Sequence, residues 1–303
     1  MVKIAAMGDN VVDCYLDRGE MYPGGNCLNV AVHLSRFGGQ SAYVGAIGKD
    51  RAGDLICTAL ASERVDIPRL RRLEGPTAYC LIGHHNADRI FLDFDLGVSM
   101  FTPTHEDLDF LSGFQAVHIG QSSGLDPWIA SVSGNSLLSY DFSTRREPEH
   151  RRKIGPYCYL ASVSGDGLDD KELAAIVSEL LACGSKWVLV TRGRAGAVLH
   201  RDSVSYHTPA RLVEPVDTLG AGDTFIARTL LGLLNEEAPQ DILRHAAEAA
   251  AATCQYYGAI GHASAIDLGN MTPEILRGAR HAPPGKPSSC EILETIDARN
   301  GQC

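Results

Sequence analysis

Short apolar runs recur along this chain, and most are followed by a segment of helical periodicity. Val2–Met7, Ala42–Ala46, Ala116–Ile119, Leu138–Phe142, Cys158–Ala161 and Trp187–Thr191 show little polar alternation. A strand covered on one face alternates polar and apolar residues, whereas one covered on both faces does not. These runs therefore predict a parallel sheet with helices on both sides. The intervening segments agree. Asn26–Phe37 puts Leu28, Val30, Ala31, Leu34 and Phe37 on one side and stops at Gly38-Gly39. Asp170–Cys183 repeats the design with Leu173, Ile176, Val177, Leu180 and Leu181, then ends at Gly184. Gly222–Leu234 and Pro239–Tyr257 predict two consecutive helices. The expected fold class is α/β, a doubly wound, mostly parallel sheet flanked by helices.

Two regions break the rhythm. Thr77–Phe94 alternates like a β-hairpin around Asn86–Arg89, with Cys14–Leu16 as a candidate partner. It is either an edge hairpin or a small β lid, built from residues 11–23 and 77–98 and inserted into a domain spanning 1–263. From Ser264 the pattern fades, and His281–Ser289 reads as a linker, so 264–303 is expected to be a C-terminal extension, partly disordered or not native to the domain.

A chain of 303 residues, 45% hydrophobic, can bury a full core. Its net charge of −10 speaks against a nucleic-acid or anionic-membrane partner, and the Arg69–Arg72 cluster reads as solvated surface. Met1–Met7 is too short for a leader, and no run is long enough to span a bilayer. Nine scattered cysteines without a C-x-x-C suit reduced thiols in a cytoplasm better than disulfides or a zinc site.

Pro215–Phe225, PVDTLGAGDTF, is where the chemistry concentrates. A dinucleotide loop needs a third small residue, and Phe225 fills that slot; a Walker A loop is absent. A phosphate cradle fits better. The N–H groups of Gly220, Ala221 and Gly222 would converge on an anion at a helix start. Asp223 follows directly, and a carboxylate there would repel phosphate unless it serves as base for a hydroxyl attacking that phosphate. Asp and Thr also favour helix starts for purely structural reasons, so the loop alone leaves both readings open.

Asp217–Phe225 resembles the D-T-x-G-A-G-D signature of the PfkB, or ribokinase-like, family of ATP-dependent carbohydrate kinases. Gly24–Gly38 resembles that family's G-G-x-x-x-N-x-A-x-x-L-x-x-L-G, and Gly8–Asp13, Val44–Asp54, Asp141–Arg145 and Thr191–Gly196 match in order. Within the family, GDNVVD, GGNCLNVAV, YDFSTR and TCQYYGA are similar to the branch acting on Amadori sugars such as fructoselysine. The resemblance implies a ribokinase-like fold with a β lid and phosphorylation of a sugar hydroxyl; if the hairpin is such a lid, its exposed apolar face would invite pairing with a second copy. The sugar hydroxyl would be the 6-OH of a fructosamine, with ATP, Mg²⁺ and in some members K⁺ as cofactors. Alternatives are a plain ketose, ribose, a nucleoside or another fructose–amino-acid conjugate, or a catalytically dead binding protein on the same fold.

Carried over residue by residue, Asp223 would be the base and Gly220, Ala221 and Gly222 the anion hole. Asp13, Gly25, Asn26 and Asn29 would bind sugar hydroxyls, with Arg89 reaching substrate from the hairpin. Thr191, Gly193 and Gly196 would lie near the nucleotide phosphates, Thr253 and Tyr257 near adenine, and Arg145 near a phosphate. Asp217 and Leu219 would flank a monovalent cation through backbone oxygens. One departure stands out: the family's N-x-x-E motif is replaced by Ser162-Val-Ser-Gly165, so the Mg²⁺ environment must differ.

Overall fold

The computed structural model describes residues 1–85 and 88–269, including their side chains except at 84, 85 and 88–90. In chain order the first half comprises β1 (Lys3–Met7), β2 (Val11–Tyr15), β3 (Glu20–Gly24), α1 (Asn26–Arg36), β4 (Gln40–Gly48), α2 (Arg51–Ser62), β5 (Asp66–Leu73), β6 (Tyr79–His85), β7 (Asp88–Asp95), α3 (His105–Leu111), β8 (Ala116–Gly120), α4 (Ile129–Ser133) and β9 (Leu137–Asp141). Then follow α5 (Pro148–Ile154), β10 (Cys158–Ser164), α6 (Asp170–Cys183), β11 (Trp187–Thr191), β12 (Ala197–Arg201), β13 (Val204–Thr208), α7 (Ala221–Leu234), α8 (Pro239–Thr253) and β14 (Ser264–Ala265).

Nine strands form one sheet in the order β13-β12-β11-β10-β9-β8-β1-β4-β5, parallel from β11 to β5 with an antiparallel hairpin at the β13 edge. The uninterrupted runs have the expected cause: successive residues feed cores on opposite faces. Ile4 joins Val30, Leu34, Phe225, Leu230 and Ile242 of α1, α7 and α8. Its neighbour Ala5 joins Leu111, Ile129, Ile154 and Leu173 of α3 to α6.

A second sheet, β14-β3-β2-β6-β7, is stitched from distant segments. The Cys14 region does pair with the hairpin, as a parallel β2–β6 ladder in which Cys14 faces Leu81. This sheet packs Val12, Cys14, Met21 and Leu81 onto Leu28 and Ala31 of α1 and Ile56 and Leu60 of α2. Ser264 and Ala265, placed by the sequence at the start of an extension, pair antiparallel with Met21 and Glu20. The tail from residue 270, including His281–Ser289, lies outside the described residues.

α2, β5 and the β12–β13 hairpin are not among the elements expected from the sequence. Arg69–Arg72 reads as a solvated run in the sequence, whereas Arg69 Nε pairs at 2.7 Å with Asp107 Oδ1, Arg71 pairs with the other carboxylate oxygen, and Asp107 is fully buried. Those arginines pin the edge strand β5 to the start of α3, where Asp107 also completes a capping box with Thr104. Among the described residues no helix is long and apolar enough to cross a membrane.

Candidate active site

The loop ahead of α7 is shaped by one carboxylate. Asp217 accepts from Leu219 N and Gly258 N, each at 3.0 Å, and from the Tyr15 hydroxyl of β2. The loop then turns left-handed at Gly220, the N-cap of α7, with φ 76°. A Cβ at Gly220 would stand 2.7 Å from Ala259 Cα. Only glycine meets both demands. Thr224 is fixed inside, donating to Gly220 O at 2.9 Å and contacting Thr253 Oγ1 and His33 Nε2. The helix start therefore cannot drift.

A cleft of about 490 Å³ opens beside it. Ala221, Gly222 and Phe225 line one side, Thr191, Gly193 and Gly196 another, and Ala247, Ala250, Ala251 and Cys254 a third. Leu212 sits at this cleft with 76% of its surface exposed. An apolar slot ending at a helix N-terminus offers a stacking surface at one end and a positive dipole at the other.

Across α7 lies α1, whose first turn brings amides to the carboxylate. Asn26 Nδ2 donates to Asp223 Oδ1 at 2.8 Å, and Asn29 Nδ2 donates to Asp223 Oδ2 at 2.7 Å. Asn26 Nδ2 also reaches Asp141 Oδ2 on β9, at 3.0 Å. The start of α1 is held by Asp9, which accepts from Asn26 N at 2.8 Å and from Ser123 Oγ at 2.8 Å. Gly25, its N-cap, has φ 104°, and a Cβ there would press on Asn10 Cα at 2.7 Å. Asn29 Oδ1 is buried with no protein partner among the described residues, an acceptor left for something else.

Three carboxylates thus crowd one recess. Burial pushes Asp223 up to about 6, against the pull of Asn29 and Asn26 and with a further push from Asp9. Burial likewise pushes Asp141 up to about 7, opposed by Ser143 N–H and aided by Asp223 and Asp9. An Asp with a raised folded pKa costs stability once it ionises. Asp141→Asn should therefore stabilise the fold at pH 8 by about 1 kcal/mol, the full shift being discounted for partial exposure. That gain should shrink as pH falls through 7 and vanish by about pH 4, near the ordinary value of 3.8. Urea unfolding of both proteins across that range measures it.

The structure therefore brings Asp223, Asn26 and Asn29 into contact, with Gly25 adjoining them. Asp13, buried on β2, lies against Gly24. Thr191, Gly193, Gly196, Ala221 and Gly222 share the cleft, while Ala221 N also makes a long bond of 3.4 Å to Thr218 O. Gly220 contributes its turn and lies outside the cleft lining. Thr253 and Tyr257 are not on the cleft. α8 ends at Thr253, whose hydroxyl is turned inward to Thr224, and Tyr257 faces β2, edge-on to Tyr15 and under the Arg18 guanidinium. Arg145 pairs with Glu147 at 3.1 Å, and the Arg89 side chain lies outside the described residues. Ser162, where the sequence departs from N-x-x-E, is buried in β10, and Ser164 reaches the cleft with Asp166.

Asp9 and Asp141 adjoin Asp223 without having been singled out from the sequence, and His118 likewise adjoins Asn26, its Nε2 3.0 Å from Asn26 Oδ1 with Ser139 Oγ behind it at 2.9 Å from Nδ1. Asp9 and Asp141 stood inside quoted motifs. His118 had a signal of its own, a lone imidazole in a buried run.

Comparison with known proteins agrees with this architecture. The pfkB family carbohydrate kinase profile matches residues 3–137 and 160–265. Fructosamine kinase FrlD of Bacillus subtilis (strain 168) is 36% identical over 266 residues, covering 86% of this chain and 94% of its own. Fructoselysine 6-kinase of Escherichia coli (strain K12) is 31% identical over 264 residues, covering 86% of this chain and all of its own (100%). Among solved structures, Arabidopsis thaliana ribokinase complexed with ribose and ATP superposes with a TM-score of 0.75 at 19% identity, covering 93% of this chain and 100% of that one, which shows the fold. This chain belongs to the pfkB family of carbohydrate kinases and is an ATP-dependent sugar kinase of ribokinase-like fold.

Proposed function

We propose that this kinase phosphorylates the 6-hydroxyl of a fructosamine, such as fructoselysine, with Asp223 as general base. The observation that carries the mechanism is the position of Asp223. Its carboxylate is held by Asn26 and Asn29 on one side of the α7 N-terminus while the nucleotide-sized cleft opens on the other. The hydroxyl proton goes to Asp223 as the sugar oxygen bonds to the γ-phosphorus and the bond to the ADP oxygen breaks. Gly220, Ala221 and Gly222 supply the α7 N-terminal dipole to the transferring phosphoryl group. Asp13, the remaining acceptor capacity of Asn26 Oδ1, and Asn29 Oδ1, which has no partner among the described residues, provide acceptors for vicinal hydroxyls. The second sheet serves as lid over that sugar.

Thr191, Gly193 and Gly196 lie where ATP phosphates would enter, and the Ala-rich face of α8 with Leu212 suits adenine. Among the described residues no cluster of His, Cys, Asp and Glu could cage a metal. Mg²⁺ would thus arrive on the phosphates and keep several waters, with Ser164 and Asp166 as the nearby polar side chains. The Asp217 carboxylate is occupied by Leu219 N, Gly258 N and Tyr15, so a monovalent cation there would rest on backbone oxygens of the Asp217–Leu219 turn. The seven described cysteines are free thiols, which suits a cytoplasmic protein. A homodimer through the second sheet belongs to the same reading, since β7 is its outer strand and Phe91 there is 38% exposed.

The substrate class is supported by two relatives, matched over nearly their whole length and named for fructosamine and fructoselysine. ADP release over a panel of fructoselysine, other fructose–amino-acid conjugates, fructose and ribose tests it. A fructosamine should exceed free fructose in kcat/KM by about tenfold or more, because binding the amine portion adds contacts that the free sugar lacks. Higher kcat/KM for fructose or ribose would overturn the assignment.

A further inference from the structure

Beneath Asn26, two polar side chains occupy the sheet where apolar ones are the rule. His118 lies at the centre of β8 and Ser139 directly beside it on β9, both with no exposed surface. His118 Nδ1 is 2.9 Å from Ser139 Oγ, and Nε2 is 3.0 Å from Asn26 Oδ1. Burial pushes the imidazole down to about 3, so the ring is neutral and carries a single N–H.

Asn26 decides which nitrogen holds it. Its amide nitrogen faces Asp223 Oδ1 and Asp141 Oδ2 at once. Reversing the amide would set an oxygen against two carboxylates. Asn26 Oδ1 therefore faces the ring and accepts, which requires Nε2–H, and Nδ1 then accepts from the Ser139 hydroxyl. Gly120, two residues along β8, leaves the room: a Cβ there would collide with Asn26 Oδ1.

We propose that His118 is a positioning residue for phosphoryl transfer: as the Nε2–H tautomer it locks the Asn26 amide so that its two N–H groups stay on Asp223 and Asp141. It touches no reacting atom, and the proposal rests on the reading of Asp223 as base. Without the imidazole donor, Asn26 Oδ1 keeps only the weak contact from Cys27 Sγ at 3.9 Å, and the amide is free to turn. Asp223 then loses a donor that favours its charged form, so a larger fraction of the base is protonated at a given pH. The groups facing Asp223 are Asn26 and Asn29 from α1, Asp141 from β9 and Asp9 from the β1–β2 turn, while α8 presents Thr253 to the neighbouring Thr224.

Two measurements test this. In the wild-type protein, ¹⁵N shifts of the His118 ring should report Nε2–H at about pH 7.5–8.5, where Asp223 and Asp141 are both ionised. An Nδ1–H ring or an imidazolium in that range overturns the proposal without any variant having to fold. Then His118→Met, which keeps the bulk and removes the donor, should move the acid limb of kcat/KM upward by about one pH unit. It should also lower kcat at pH 8 by about tenfold. His118→Gln, whose terminal amide reaches as far as Nε2, should bring the limb back. An unmoved limb in His118→Met, or equal displacement in both variants, would mark the residue as structural only. Full turnover in Asp223→Asn would sink the base assignment and leave the ring tautomer as measured, so the two failures are separable.

Discussion

Asp223→Asn is expected to lower kcat by about 10³-fold while the protein still folds, because the amide fits the same recess but cannot take up a proton. One of its two neighbours keeps an acceptor: Asn26 or Asn29 can still donate to the new carbonyl oxygen, while the other meets an amide nitrogen. Thermal unfolding should therefore change little, and ADP release under saturating sugar and ATP should nearly cease. The wild-type pH profile is the companion result. With Asp223 raised to about 6, the base is protonated below that pH and ionised above it. kcat/KM should thus climb with pH through about 6 and level off above 7. Wild-type turnover in the variant would remove Asp223 from the chemistry.

The second large effect is expected at Gly220. An alanine there must adopt φ near 76° and place its Cβ 2.7 Å from Ala259 Cα. The left-handed backbone costs about 1 kcal/mol and the overlap about 1–3 kcal/mol more. The loop relieves this by shifting the start of α7, and displacing a base by about 1 Å can cost about 100-fold in turnover. Gly38→Ala is the control, since it shares a left-handed φ of 87° with no atom within 4 Å of the new Cβ. It should lose about 1 kcal/mol in urea unfolding and keep its kcat. Equal loss of turnover in both variants would show that Gly220 has no special role.

The elements legible in the sequence were those with a single environment. β1, β8, β9, β10 and β11 are covered on both faces, so most of their residues are apolar regardless of which face they point to. β5 was hidden because Arg69 and Arg71 look solvated until Asp107 is brought to them from α3 by the fold. Asp223, Asn26 and Asn29 were readable because each stands in a motif with its own spacing. Asn26 and Asp223 come from opposite halves of the chain, so their contact itself was not. His118 and Ser139 read as ordinary strand residues for a related reason: a neutral, buried pair has no pattern along the chain, and its contact with Asn26 exists only in the fold. Thr253 and Tyr257 were placed near adenine by the resemblance alone, and no spacing along the chain shows that the Thr253 hydroxyl turns to Thr224 or that Tyr257 packs edge-on to Tyr15.

The second sheet also carries a consequence for how the molecule comes to exist. Its ladder begins with β2 and β3 near the first residues, waits for β6 and β7, and is closed along β3 by Ser264 and Ala265 near the end. Loop-closure entropy opposes such pairings until the large sheet has already drawn the segments together. On the ribosome, the large sheet can consolidate from its own helices while the β3 edge stays open until Ser264 and Ala265 have emerged. The second sheet is therefore the last part to be finished, and a chain that stops before Ser264 is left with the β3 edge unpaired.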